Sequence, residues 1–101
     1  MAQFDVYRNY DPKSKERVPY LLDIQKDLFV ELSTRLVIPI VSRGEALNRL
    51  NIEISVRNQK LLISTQEMTS IPSTLLGDKA FSLEDKADDI LESVNFLLMG
   101  F

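Results

Sequence analysis

Neither cysteine nor histidine occurs among the 101 residues. Without cysteine there is no disulfide and no thiol nucleophile. Without either residue there is no zinc site of the usual kind and no serine–histidine mechanism. The lack of cysteine fits a reducing compartment. Glycine is also scarce. Three glycines are too few for a phosphate-cradling loop. No apolar run approaches the ~20 residues needed to cross a bilayer. The opening MAQFDVYRN lacks the pattern of a signal peptide. These absences lead to the expectation of a small cytoplasmic domain with no membrane partner. Positive charge is in deficit, with 12 Lys and Arg against 15 Asp and Glu, a net of −3. That balance speaks against a general electrostatic grip on nucleic acid.

What remains is an ordinary soluble composition, 45% hydrophobic and 27% charged. That suits one modest core and a single domain over residues 1–101. The clearest element is the last. Phe81 to Phe101 predicts a helix, with Leu83, Ala87, Ile90, Leu91, Val94, Leu97 and Leu98 on one stripe. Ser82 can cap its start, and Glu84 and Asp85 suit the positive end of the helix dipole. Gly100 marks its end. Two residues leave the stripe. Phe96 falls about 160° and Met99 about 140° from its middle, on the side of Asp88, Asp89, Glu92 and Asn95. An otherwise polar face thus turns apolar in its last turn and a half. Chance exposure explains that pattern, and so does a contact surface for a partner.

Earlier segments read as strands. Gln3 to Arg8 alternates, with Phe4 and Val6 on one side. Asn9 to Arg17 is a charged loop. Pro19 to Ile24 is a second strand, in which Asp23 needs a partner if the strand is central. Thr34 to Val41 is rich in β-branched residues, and Pro39 inside it signals a bulge or an edge. Ser42 to Leu50 has room for one helical turn. Asn51 to Val56 and Lys60 to Thr65 form a hairpin around Asn58-Gln59. Met68 to Leu76 is a short strand or irregular, and Gly77-Asp78 breaks the chain before the helix. Five or six short strands and one long helix predict a mostly β protein: a small antiparallel barrel-like sheet with a C-terminal α-helix packed on it.

Candidate catalytic groups are few. Glu84 and Asp88 share a helix face, but acids at a helix start are favoured for dipole reasons and read as a solvated face. Arg35 with Asp23 or Asp27 offers a cation–acid site for RNA cleavage, or a plain salt bridge. Nothing in these residues requires an enzyme, a cofactor or a metal.

Taken as a set, QFDVY near the start, LLDIQKDL at 21–28, TRLVIPI at 34–40, MTSIPSTLLGD at 68–78 and the NFLLMGF ending resemble the CcdB toxins of bacterial toxin–antitoxin modules. The blocks keep family order and spacing over most of the chain; 42–66 matches weakly. The resemblance implies the fold shared with the MazF and Kid ribonuclease toxins, a homodimer, and a role in plasmid maintenance. It implies a topoisomerase poison with no enzymatic activity of its own. Such a toxin binds the A subunit of DNA gyrase and traps it on cleaved DNA, and a CcdA-like antitoxin releases it. Carried over by position, the gyrase contacts are Leu28, Phe29, Asn95, Leu98, Met99, Gly100 and Phe101. Where the family pattern ends in Trp, Gly, Ile, this chain has Met99, Gly100, Phe101. Lys13, Lys15 and Arg17 are candidate acceptors for an acidic antitoxin. The competing reading is a ribonuclease toxin of the MazF and Kid group.

Overall fold

Residues 2–26, 32–44 and 49–100 are described by a computed structural model. The chain runs β1 (Asp5–Asn9), β2 (Tyr20–Asp23), β3 (Thr34–Val41), β4 (Asn51–Val56), β5 (Gln59–Ser64), β6 (Thr69–Pro72), β7 (Leu76–Ser82) and α1 (Ala87–Met99). Among the described residues the strands form one seven-stranded sheet in the order β4-β5-β3-β2-β1-β7, with β6 pairing the first half of β3. Every pairing is antiparallel. The sheet curls into a half-barrel, because β3 serves three neighbours and β1 is bulged against β7.

Side chains of alternate parity divide the sheet into two faces. Val6, Leu22, Ile38, Ile40 and Ile63 lie on one face with no exposed surface, and Ile90 of α1 closes over them. Truncating a side chain so enclosed typically costs about 2–5 kcal/mol. The other face carries a smaller cluster of Val18, Leu21, Val37 and Val41.

Pro39 is at neither an edge nor a bulge: it pairs with Leu21 in the regular β2–β3 ladder. The carbonyl of Leu36 turns toward β2, where Ile24 N–H donates to it. Alternate residues turn to opposite flanks, so Pro39 faces the other side. There β6 pairing has ended at Val37 and β5 pairing begins at Ile40. The missing N–H falls in that gap and costs no ladder bond.

The β4–β5 turn sits one residue earlier than expected. Arg57 (φ 51°) and Asn58 (φ 66°) both take the left-handed conformation that a tight two-residue hairpin requires. The larger correction concerns Gly77-Asp78. These residues do not break the chain; they lie inside β7, which extends to Ser82 and takes Phe81 from the expected helix. Gly77 serves close approach. A Cβ there would lie 2.5 Å from the Tyr10 ring, whose hydroxyl donates to Asp78 Oδ2 at 3.1 Å. After β7 the backbone N–H of Glu84 donates to Ser82 Oγ. A short 3-10 turn at Glu84–Lys86 then leads into α1. The helical turn expected within Ser42 to Leu50 falls largely on 45–48, outside the described residues.

Candidate functional site

Helix α1 is held by its first two-thirds. Leu83, just before it, and Ile90 are buried in the main core, with Ala87 and Val94 packed beside them. Ser93 is buried too, its Oγ 3.2 Å from Leu50 O and 2.8 Å from Thr65 Oγ1. Past Val94 the cover thins. Leu98 is 67% and Met99 61% exposed, and Leu91 is 43% exposed. The expected stripe is therefore too wide. Leu91, Leu97 and Leu98 lie at its margins and the half-barrel is too narrow to reach them, so they stay open.

Leu91, Asn95, Leu98 and Met99 follow i, i+4, i+7 and i+8 and share one side of the helix. They form an apolar strip with one amide group, on an element whose other side is anchored. Gly100 ends the helix in the left-handed conformation (φ 79°), and its N–H donates to Phe96 O at 2.8 Å. A Cβ on Gly100 would meet nothing, so the demand for glycine comes from its backbone angle. Of the residues carried over from the family, the structure brings Asn95, Leu98, Met99 and Gly100 together. Leu28, Phe29 and Phe101 lie outside the described residues. The sequence pattern found Met99 as exposed and apolar; it missed the openness of Leu91 and Leu98, because periodicity fixes a stripe's direction and not the width of the surface beneath it.

Phe96 is half-buried. The Arg49 guanidinium lies 4.2 Å from its ring centroid. The aromatic was visible in the sequence as off-stripe; its partner, 47 positions earlier, had no signal.

The cation–acid pair considered for RNA cleavage is a different kind of object. Arg35 donates through Nε (3.1 Å) and Nη2 to Asp23 Oδ2, and the two side chains are 1% and 0% exposed. Asp23 Oδ1 accepts from Gln25 N–H at 3.0 Å. This is the partner that a central Asp23 required. Asp27 lies outside the described residues. Tyr7, buried nearby, has its hydroxyl held above the usual phenol range, first by burial and then by the charges of Asp5 and Asp23, with Arg35 opposing. Glu84 and Asp88 are solvent-exposed, and no cluster that could hold a metal ion occurs among the described residues.

The β1–β2 loop is ordered by its own polar groups. Asp11 accepts from Lys13 N–H and Ser14 Oγ, and Val18 N–H closes a helical turn onto Ser14 O. Lys13 and Lys15 point to solvent. Arg17 is engaged: its Nη2 donates to both oxygens of Glu67, at 3.0 and 3.1 Å. The pair flanks a cleft of about 390 Å³.

A curled antiparallel sheet crossed by a C-terminal helix is the architecture of a class of small toxins. The Mycobacterium tuberculosis toxin MazF-mt6 shares it with a TM-score of 0.77 at 17% identity, over 93% of this chain and 95% of that one. An endoribonuclease from a mycobacterial species, in complex with its cognate antitoxin, gives 0.77 at 9% identity over 97% and 94%. A further Mtb toxin gives 0.73 at 16% over 91% and 98%. At such identities the likeness is one of fold. The family model described as CcdB protein matches residues 3–100, and the chain belongs to the CcdB family. Family and fold together make it a protein of the toxin class.

Proposed function

We propose that this toxin poisons DNA gyrase by binding its A subunit through the C-terminal tip of α1, trapping the enzyme on cleaved DNA. The observation that carries the reading is the position of Leu98 and Met99: apolar, more than 60% exposed, and beyond the part of the helix that is fixed to the core. Exposed apolar side chains gathered on a rigid element are the usual anchor of a protein interface. Asn95 adds a polar contact, and Gly100 turns the chain so that Phe101 follows. Leu28 and Phe29 complete the contact set implied by the family.

The reading is of a protein that acts by binding, with no catalysis of its own. Two observations support it over a ribonuclease. The Asp23–Arg35 pair is enclosed and out of reach of an RNA strand, and the net charge of −3 opposes a nucleic-acid groove. The deciding experiment is incubation with gyrase, ATP and supercoiled plasmid, followed by denaturant and protease. Linear DNA is the expected product. RNA cleavage without linear DNA would overturn the reading.

Two partners belong to the same proposal. The first is a second copy of the chain. The strand TRLVIPIV contributes little, since Val37 to Val41 are buried within one chain; among the described residues the apolar side chains left open include Leu32 and Leu36 as well as those of α1. Sedimentation at micromolar concentration should give a dimer, and a sole 11.6 kDa species would count against it. The second is a CcdA-like antitoxin with an acidic disordered segment. Lys13 and Lys15 are open to it, whereas Arg17 must first leave Glu67. A ligand that binds only the folded state raises stability by about 4 kcal/mol at a thousandfold excess over Kd. A cognate peptide that leaves the melting temperature unchanged would remove this partner.

A further inference from the structure

We propose that Arg49 is a positioning residue: stacked on Phe96, it holds the last turn of α1 in the orientation that presents Leu98 and Met99. Its functional consequence rests on the gyrase reading; its structural part does not.

Phe96 is half-buried close to the end of α1. Leu97, Leu98, Met99 and Gly100 are all exposed. Yet Phe96 is off the apolar stripe, so the core does not supply that cover. Among the described residues Arg49 lies over the ring, with its guanidinium 4.2 Å from the centroid. A cation over an aromatic face is attracted by the ring quadrupole. The stack also has a rigid foot. Leu50, the next residue, accepts from Thr65 N–H and from Ser93 Oγ through its carbonyl, each at 3.2 Å. A hydroxyl has one proton to give. The short Ser93–Thr65 contact is therefore made by Thr65 donating to Ser93, which leaves Ser93 free to donate to Leu50. The Arg49–Leu50 segment thus grips α1 at Ser93 and again three residues later at Phe96, on the same side of the helix.

Phe96 connects this grip to the tip. Its carbonyl accepts the Gly100 N–H that closes the helix end. Fixing Phe96 fixes the frame within which Leu98, Met99 and Gly100 sit. Helix ends without such cover fray. The arrangement has a local cost that separates positioning from plain stabilisation. Arg49 sits at φ 70°, a left-handed conformation unfavourable for a residue with a Cβ and open to glycine. Removing the side chain by Arg49→Gly therefore relieves strain while it deletes the stack. The acids Glu53, Asp89 and Glu92 line the same cleft of about 350 Å³. Any of them can draw the guanidinium away once the ring is gone.

The test uses the full chain and four proteins: wild type, Arg49→Gly, Phe96→Leu and the double variant. Amide hydrogen exchange is read at residues 97–100, alongside thermal melting and gyrase affinity. Arg49→Gly should speed exchange in this last turn by roughly two- to fivefold, the range expected for an exposed cation–π contact. It should weaken gyrase binding by a similar factor and leave the melting temperature unchanged or higher. Phe96→Leu should add nothing in the Arg49→Gly background, and Arg49→Lys should restore part of the protection. Unchanged exchange at 97–100 in Arg49→Gly, or effects of the two substitutions that simply add, would overturn the proposal. A wild-type protein that does not bind gyrase at all would overturn the gyrase reading instead, and the exchange result would still decide the role of Arg49.

Discussion

Asp23 and Arg35 form an ion pair between adjacent strands β2 and β3 in which neither side chain is more than 1% exposed. Such a pair is expensive to form and more expensive to break, because removing one partner leaves a desolvated charge. Arg35 already has one nitrogen, Nη1, without a hydrogen-bond partner among the described residues. Asp23→Ala should therefore lower stability by about 3–5 kcal/mol in urea unfolding. Replacing both, with Asp23→Leu and Arg35→Met, should recover most of that loss. A single variant within about 1 kcal/mol of wild type would mean that water reaches the pair.

Tyr7 beside this pair gives the protein an alkaline limit. Its folded pKa lies above the ordinary 10.0 through burial first, then the negative charge of Asp5 and Asp23. The folded chain thus holds a proton that the unfolded chain has already released. The contribution is fully present below the unfolded pKa and is lost as pH rises through the folded one. Urea midpoints should fall as pH climbs above about 10. Tyr7→Phe should make that fall shallower. An equally steep fall in both would remove Tyr7 from the account.

Local rules read the strands well and the chain's last third less well. TRLVIPIV is β3 to the residue, because its β-branched side chains favour a strand that is enclosed on both faces from Val37 onward. Gly77-Asp78 misled for a physical reason. Glycine marks turns and close approaches alike, and only the arrival of Tyr10 from 67 positions away distinguishes them. The tip residues Met99 and Gly100 were legible because helix period and helix termination are local. Arg49 on Phe96 and Asp23 on Arg35 were not located by sequence spacing, since side-chain pairing across the fold is set by the curl of the sheet.

Gly77 offers a direct test of that reading. An alanine Cβ would come within 2.5 Å of the Tyr10 ring. The ring is 55% exposed and can swing away, at the loss of its bond to Asp78. Gly77→Ala should therefore cost about 1 kcal/mol, the low end for an overpacked site. In a Tyr10→Ala background it should cost nothing. A glycine needed for a turn would give the same loss in both backgrounds, and thermal melting of the four proteins separates the two cases.

Removal of Met99, Gly100 and Phe101 should abolish gyrase poisoning and leave the fold nearly intact. The core-facing contacts of α1 end at Val94, and Met99 is 61% exposed. Losing residues beyond that point should cost about 0.5 kcal/mol, as surface changes do. At an interface the same residues would be desolvated anchors, where one truncation commonly costs 2 kcal/mol or more and weakens binding about thirtyfold. Gly100→Arg should act like the truncation, because φ 79° is unfavourable for a residue with a Cβ. Met99→Trp should keep or raise activity, since the side chain already points outward and a rigid aromatic loses less freedom on binding than methionine. Toxicity, gyrase binding and thermal melting are measured on each variant. A truncated chain that stays toxic removes the tip as the site. One that fails to fold would mean that the last turn is held by more than Arg49 on Phe96.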